Sequence, residues 1–184
     1  MATAAQFRRF TREEYEHLVK EGFFHPGERV ELIEGYLYEM SPQDSWHASG
    51  IQALKEILTP IFKKGYDIRF QMPLALGLDS EPEPDVAIVR GHWRDYRNSH
   101  PTTAALIVEV ADTTLLYDRD SKGRLYASAG ILDYWILNRR DTCLEVMRDP
   151  RDGKYLSRTI LKGGDMVSPL AKLGISIPVS NLLV

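Results

Sequence analysis

Two short apolar runs in the middle of the chain are typical of buried strands. They cover residues 85–89 and 104–111, they are rich in β-branched residues, and proline or polar residues flank them. Each run carries one carboxylate, Asp85 or Glu109, where an apolar side chain would be expected. Because an ionised carboxylate is costly to bury unless it is paired or bound to a metal, both side chains need a partner inside the protein.

The pattern elsewhere predicts further strands for the same sheet. Residues 29–40 predict two strands joined by a tight turn or bulge at Glu34-Gly35. Residues 66–76 predict a strand at or near a sheet edge, because Pro73 cannot donate a backbone hydrogen bond. The remaining strands are predicted over residues 131–138, 142–148 and 155–161, with turns at 139–141 and 150–153 and a last short strand in a surface tail, residues 173–184.

Two segments before the central strands have helical signals. Thr11 and Glu14 form a capping box that begins a short amphipathic helix, and Gly22 can end it. The longest helical pattern covers residues 45–64, and Pro60 should kink this helix or end it early.

The mixture of strands and helices indicates an α+β fold in one domain that spans residues 1–184. We expect an α/β/α-like arrangement, in which a mixed sheet is flanked by two main helices and extended by antiparallel strands near the C-terminus. The length of 184 residues suits a single domain with a sizeable core.

Composition narrows the classes of function. The formal net charge of −3 argues against an unstructured basic arm for nucleic acid, although a local basic patch stays open. Cys143 is the only cysteine, which excludes an internal disulfide and a cysteine-based zinc site. Residues 1–9 lack the apolar segment of a secretory signal, and no run reaches the ~18 apolar residues of a membrane span. We therefore expect a cytoplasmic protein without a membrane partner.

A lysine joins the two carboxylates in the predicted interior. In the helix predicted over residues 118–129, Lys122 lies on the apolar face, and Asp118 precedes it by one turn on the same side. If the two central strands are neighbours, about 4.8 Å apart, then Asp85 and Glu109 converge with Lys122.

Such a cluster is either a buried structural salt bridge or a divalent-metal site with a lysine beside it. We favour the metal site, because perturbed ionisable groups cluster where chemistry happens. Carboxylate oxygens suit a hard cation, Mg²⁺ or Mn²⁺.

The order of these residues resembles the PD-(D/E)XK nuclease superfamily, in which two acids hold the metal and a lysine assists the attacking water. More narrowly, the chain resembles the small bacterial "putative restriction endonuclease" family over about residues 12–160. The order and spacing of the segments, rather than any one motif, carry this resemblance. The segments are Glu31-Leu32-Ile33-Glu34-Gly35, Met40-Ser41-Pro42, His47, Glu83-Pro84-Asp85, Val108-Glu109-Val110, Asp118, Lys122, Tyr126, Ala129-Gly130-Ile131 and Asp133-Tyr134-Trp135.

The resemblance implies a restriction-endonuclease-like fold and metal-assisted hydrolysis of DNA phosphodiester bonds. It implies that Asp85, Glu109 and the backbone carbonyl of Val110 hold Mg²⁺, with Mn²⁺ as a substitute. It also implies that Lys122 orients the attacking water or stabilises the developing charge. The chain departs from the superfamily pattern at Ala111, where the lysine usually stands, and the following helix supplies Lys122 instead.

Four further side chains are candidates for accessory roles. The resemblance implies Glu31 as an additional acid at the metal, and the alternative is a solvated strand residue. His47 could bind phosphate or shuttle a proton, or simply pack at the start of its helix. Gln71 could hold a water molecule, or be an ordinary strand residue. Tyr126 could hydrogen-bond a site carboxylate, or belong to the core.

The sequence also suggests partners. His92, Arg94 and Arg97 lie in a polar loop that mixes bases and aromatics, which could contact nucleic acid; the simpler interpretation is a solvated loop. The resemblance implies DNA as a partner and a homodimer or higher homo-oligomer. Tyr134 and Trp135 begin a predicted strand as either packing or dimer-interface residues, and an exposed aromatic strand would fit such an interface.

Three functions are compatible with these features. The first is a Mg²⁺-dependent DNA endonuclease. The second is a binding or assembly protein that keeps the nuclease fold without catalysis, which the net charge of −3 and the residue Ala111 favour. The third is a metal-dependent hydrolase of another phosphoester.

Overall fold

The computed structural model describes residues 7–183 and contains a six-stranded mixed sheet with helices on both faces. The strands are β1 Val30–Ile33, β2 Tyr36–Glu39, β3 Tyr66–Phe70, β4 Val86–Arg90, β5 Leu106–Ala111, β6 Asp133–Asn138, β7 Cys143–Arg151, β8 Lys154–Leu161, β9 Met166–Val167 and β10 Ile177–Pro178. The helices are α1 Arg12–Lys20, α2 Ser45–Ile61, α3 Leu115–Tyr117 and α4 Gly123–Ser128, with a π-helical turn Asp118–Lys122 between α3 and α4.

The strand order across the main sheet is β3-β4-β5-β6-β7-β8. The pair β5–β6 is parallel, and the other neighbouring pairs of this sheet are antiparallel. Strands β1–β2 and β9–β10 form two separate antiparallel pairs. The mixed sheet predicted from the sequence is therefore confirmed.

Two apolar cores fill the two faces of the sheet, because successive side chains of a strand point to opposite sides. Helix α2 covers one face, where Leu54 and Leu58 belong to the same core cluster as Trp135. The segment α3–α4 covers the other face, where Tyr126 packs in a cluster with Ile107. The candidate site therefore receives side chains both from α2 on one face of the sheet and from the α3–α4 segment on the other face.

Gly50 allows α2 to lie close to β5. A Cβ atom at this position would be 2.9 Å from Cγ1 of Val110, a distance that side-chain carbon atoms do not tolerate. The close approach also fixes the start of α2, where His47 lies one turn before Gly50.

The strand boundaries differ most from the sequence prediction at the ends of β3 and β7, and by one or two residues elsewhere. Strand β3 is the expected edge strand, but it ends at Phe70, because Gln71 has a positive φ of 50° and Pro73 cannot extend the ladder. Strand β7 continues to Arg151, so the turn shrinks to Asp152-Gly153. Both turn residues have positive φ, as a two-residue primed hairpin requires.

The helix boundaries also need correction. Helix α2 keeps Pro60 within its last turn and ends at Ile61 rather than at residue 64. The helix after β5 begins at Leu115 rather than at Asp118 and contains the π-helical turn. The capping box at Thr11 is confirmed.

Tyr134 and Trp135 are fully buried, so the expectation of an exposed aromatic strand is wrong. They lie on β6, which has a neighbouring strand on each side and a core on each face. Their aromatic rings therefore stabilise the interior and offer no surface to a second subunit.

The predicted last strand is confirmed as β10, which pairs with β9. Its Ile177, together with Val179 and Leu182, packs into the core instead of lying over the surface. No helix within residues 7–183 is long and apolar enough to cross a membrane. The predictions made for residues 1–6 and for Val184 fall outside the described residues.

Glu81 connects the segment before Asp85 to the β1–β2 hairpin. Its backbone forms a bridge with Leu32. Its side chain is almost fully buried, and no group among the described residues donates a hydrogen bond to its Oε2. Burial, together with the nearby carboxylate of Glu16, raises the pKa of Glu81 to about 7.

The substitution Glu81→Gln should stabilise the protein at alkaline pH. Because the pKa of Glu81 in the folded state is above its ordinary value of 4.5, the native protein loses stability as the pH rises from about 4.5 to about 7. Glutamine stays neutral and escapes this loss. After a reduction for solvent screening, we expect the variant to gain about 1 kcal/mol at pH 8, or about 2–4 °C in Tm. Thermal unfolding at pH 5 and pH 8 checks this, and an equal effect at both pH values would contradict it.

Candidate active site

Asp85 and Glu109 meet because β4 and β5 are antiparallel neighbours. The register pairs Val86 with Val108, which places Asp85, the residue before β4, opposite Glu109. The backbone N–H of Asp85 donates to Oε2 of Glu109 over 3.2 Å. The side chains of the two acids are only 8% and 3% exposed. The structure thus brings the two predicted carboxylates together.

Two side chains from the helical segment after β5 form hydrogen bonds with Glu109. The Nζ atom of Lys122 donates to Oε1 of Glu109 over 3.0 Å, and the hydroxyl of Tyr126 donates to the same oxygen over 2.7 Å. Lys122 and Tyr126 are both buried. The lysine therefore reaches the carboxylates from the element that the sequence predicted, although Ala111 occupies the usual lysine position.

The π-helical turn places Lys122 on the buried side of its helix. The backbone N–H of Gly123 donates to the carbonyl of Asp118, five residues earlier. This wider turn puts both Asp118 and Lys122 in the interior. Such turns occur often at functional sites.

Asp85 accepts three hydrogen bonds. His47 Nε2 and the backbone N–H of Val110 each lie 2.8 Å from its Oδ2, and Nε2 of Gln71 donates to its Oδ1 over 3.1 Å. His47 comes from α2, and Gln71 comes from the residue after β3. Both accessory candidates therefore contact a predicted metal ligand.

Glu31 also faces the site. It is almost fully buried, so its alternative interpretation as a solvated strand residue is wrong. Its Oε1 accepts a hydrogen bond from the Tyr117 hydroxyl over 3.2 Å and lies 3.6 Å from Lys122 Nζ. Its Oε2 accepts from the backbone N–H of Glu83 over 3.1 Å.

Sequence reasoning did not assign Asp118, Tyr117 or Tyr38 to the site, although all three line its cleft. The spacing of Asp118 from Lys122 on one helix face was a usable signal. Asp118 accepts a hydrogen bond from the Thr114 hydroxyl over 2.7 Å. Tyr117 and Tyr38 gave no signal, because only tertiary packing brings their elements together.

Buried carboxyl groups outnumber the buried basic side chains in this cluster. Four buried carboxylates, Glu31, Asp85, Glu109 and Asp118, surround the single lysine. Burial raises the pKa of Glu109 to about 8, and the neighbouring carboxylates add to the effect of burial against the opposing charge of Lys122. Burial likewise raises the pKa of Asp118.

The pKa values of Asp85, His47 and Lys122 shift in the direction that favours the charged form of each group. Burial opposes the ionisation of Asp85, but the hydrogen bond and charge of His47 outweigh it and lower its pKa. The bond to Asp85 raises the pKa of His47 against the effect of burial. Burial favours neutral Lys122, yet the surrounding carboxylates raise its pKa well above the ordinary value, so it stays protonated.

The cluster lies at the bottom of a cleft of about 430 Å³. Strand β2, the loop before α2 and the loop after β5 form its walls. The lining residues are Glu31, Tyr38, Glu39, Met40, Ser41, Pro42, Asp44, His47, Asp85, Glu109, Val110, Asp112, Thr113, Thr114, Tyr117, Asp118 and Lys122.

The donor chemistry fits a hard divalent cation. Asp85 and Glu109 supply carboxylate oxygens, and the excess of buried negative charge favours a cation among them. Within residues 7–183, no group of three or more His, Cys, Asp or Glu side chains could by itself hold a metal ion. A cation here would take its other ligands from backbone oxygens and water, as Mg²⁺ usually does. It would also displace hydrogen-bond donors such as His47 or Gln71 from Asp85.

His92, Arg94 and Arg97 do not line the cleft. They follow β4, at the end opposite Asp85, in a loop that includes a short 3₁₀ turn. There the guanidinium of Arg94 lies 4.5 Å from the centre of the Trp93 ring. Contact between this loop and nucleic acid stays a prediction.

The mixed sheet with its buried acids and lysine defines a restriction-endonuclease-like fold. A crystal structure described as a putative nuclease belonging to DUF820, from Anabaena variabilis, is similar to the chain with a TM-score of 0.71. The likeness covers 94% of this chain and 97% of that chain at 13% sequence identity, and it shows the shared fold. No curated protein matches the chain.

The chain belongs to the Uma2 family, which is described as "putative restriction endonuclease" and matches residues 12–180. The match continues past residue 160, where the resemblance seen in the sequence ended, and includes β9 and β10. Membership of this family supports a nuclease-like function.

Proposed function

We propose that the protein is a Mg²⁺-dependent endonuclease that hydrolyses phosphodiester bonds in DNA. One observation carries this proposal. The cleft buries more carboxylates than its basic side chains neutralise, and a protonated lysine lies directly beside them. The family description and the nuclease described in the structural neighbour point in the same direction.

Asp85, Glu109 and the backbone carbonyl of Val110 would hold the cation, with Mn²⁺ as a substitute. Glu31 is the accessory acid nearest to Lys122. A divalent cation held by these residues would supply Lewis acidity for a phosphate oxygen and for nearby water.

The side chains of the cleft have distinct tasks in this proposal. Lys122 stays protonated, so it donates hydrogen bonds to the phosphate or to the attacking water and stabilises the developing negative charge. Tyr126 fixes Glu109, and Gln71 fixes Asp85, through the hydrogen bonds described above. His47 Nε2 holds a proton against Asp85 at the edge of the cleft.

A specific observation favours a second candidate, a nuclease-fold binding protein without catalysis. All four carboxylate oxygens of Asp85 and Glu109 already have hydrogen-bond partners inside the protein. A network that is satisfied without a metal can be purely structural. The homodimer and the cytoplasmic location stay predictions from the sequence.

Calorimetric titration with Mn²⁺ and Mg²⁺ separates the two candidates. The native protein should bind a divalent cation with measurable heat and cleave DNA only when the cation is present. The variant Asp85→Asn should lose both properties, because it removes one anionic ligand. Asp112→Asn is the matched control, since Asp112 lines the same cleft but its side chain is 41% exposed and paired with Arg139. Absence of binding to the native protein would favour the structural candidate and contradict the nuclease.

A further inference from the structure

The reactive groups lie too deep for the surface of a duplex to reach easily. The side chains of Asp85, Glu109 and Lys122 are 8%, 3% and 6% exposed, at the bottom of the cleft. Duplex DNA is stiff, with a persistence length of about 50 nm, so it cannot bring a phosphate to side chains this buried without distortion. An unpaired strand bends easily and can enter.

The charge of the cleft also disfavours a duplex. Its lining contains seven carboxylates, against Lys122 and His47 as the basic side chains. The nearby Arg139 is occupied, because its Nη1 lies 3.2 Å from Asp44 and 2.8 Å from Asp112. Duplex DNA carries one negative charge per about 1.7 Å and depends on lysine and arginine contacts to its phosphates. A single strand has half that density of charge.

Aromatic side chains in the wall of the cleft can bind a nucleic acid by stacking, whereas the acidic side chains of the cleft repel it. Tyr38 and Tyr117 line the cleft with ring centres 5.2 Å apart and ring planes tilted by 42°, and Met40 and Pro42 continue the wall. The Tyr117 hydroxyl is fixed by Glu31, whereas Tyr38 is 37% exposed. Bases of a single strand stack on such rings, while paired bases are already stacked within the duplex.

We propose that this cleft accepts an unpaired DNA strand, with a base stacked on the exposed ring of Tyr38 beside Tyr117, and excludes an intact duplex. The inference rests on the proposed nuclease function and specifies its substrate. It makes Tyr38 a substrate-binding residue, while the buried acids of the cleft disfavour duplex DNA.

Fluorescence anisotropy with a mixed-sequence single-stranded DNA oligonucleotide and with a hairpin duplex of the same sequence tests the proposal. In Mg²⁺ the single strand should bind at least about tenfold more tightly, and it should be cleaved faster. Since stacking on an aromatic ring contributes about 1–3 kcal/mol per base, Tyr38→Ala should weaken single-strand binding about 5- to 150-fold.

Tyr36→Ala is the matched control. Tyr36 lies two residues away on the same strand and is 38% exposed, but it does not line the cleft, so its variant should bind like the native protein. Equal or tighter binding of the duplex, no binding of the single strand, or the same loss in both variants would overturn the proposal. If the cation titration still succeeds, only the substrate is wrong. If it fails as well, the nuclease function falls too.

Discussion

Replacing Glu109 with glutamine is expected to reduce metal-dependent DNA hydrolysis at least about 10³-fold while the protein stays folded. The loss follows because a neutral amide removes one of two anionic ligands, and a bound cation contributes several kcal/mol to such reactions. The fold should survive, because the pKa of Glu109 is about 8 and glutamine resembles its protonated form. Lys122 keeps Glu31 as a partner.

Two measurements check this expectation. Cleavage rates in Mg²⁺ should fall, while thermal unfolding in metal-free buffer at pH 6 should change Tm by no more than about 3 °C. Glu39→Gln serves as the control, because Glu39 lines the same cleft on its exposed rim and should retain activity. A Glu109→Gln variant that cleaves DNA at the native rate would remove Glu109 from the mechanism.

Replacing Lys122 with methionine should cause a large loss of stability as well as of activity. The ammonium group compensates several buried carboxylates, and the removal of one partner of a buried ion pair costs about 3–5 kcal/mol. For a chain of this length we expect Tm to fall by about 10 °C at pH 8. DNA cleavage should be lost, because Lys122 is also the proposed donor to the phosphate.

The loss of stability in Lys122→Met should be larger at high pH than at low pH. Two of the carboxylates left behind, Glu109 and Asp118, have folded-state pKa values raised above their ordinary values, so the variant becomes less stable as the pH rises through those values. The difference from the native protein should therefore be smaller at pH 5 than at pH 8. Thermal unfolding at both pH values measures it.

A double-mutant cycle isolates the Lys122–Glu109 contact. In the background of Glu109→Gln, the substitution Lys122→Met should cost at least about 1 kcal/mol less than in the native protein. Lys64→Met, which removes an exposed lysine, should change stability by no more than about 0.5 kcal/mol. An unchanged Tm for Lys122→Met at pH 8 would show that the buried lysine is not needed to neutralise the acids.

The sequence alone identified the main charged residues that meet in this cleft. Asp85 and Glu109 stand out because charged residues are rare in apolar strands, and Lys122 stands out because helical periodicity places it on an apolar face. These arguments depend on local periodicity, which follows from backbone geometry and survives in any tertiary context. The mixed sheet, the β1–β2 hairpin and the capping box at Thr11 were predictable for the same reason.

Local patterns failed where the outcome depended on distant contacts. Tyr134 and Trp135 looked suited to an interface, but a six-stranded sheet with two covered faces buries them completely. The tail looked superficial, yet Val179 and Leu182 complete the core under α2. Burial of an apolar residue is decided by what packs against it, and the sequence of one segment does not contain that information.

The geometry of the site was decided only by tertiary structure. Gly50 lets α2 approach β5, which brings His47 to Asp85, and the π-helical turn directs Asp118 inward together with Lys122. Sequence thus determined which residues carry charge into the interior. The packing of two helical layers against one sheet decided which charges meet, because a residue's neighbours across the sheet are far from it along the chain.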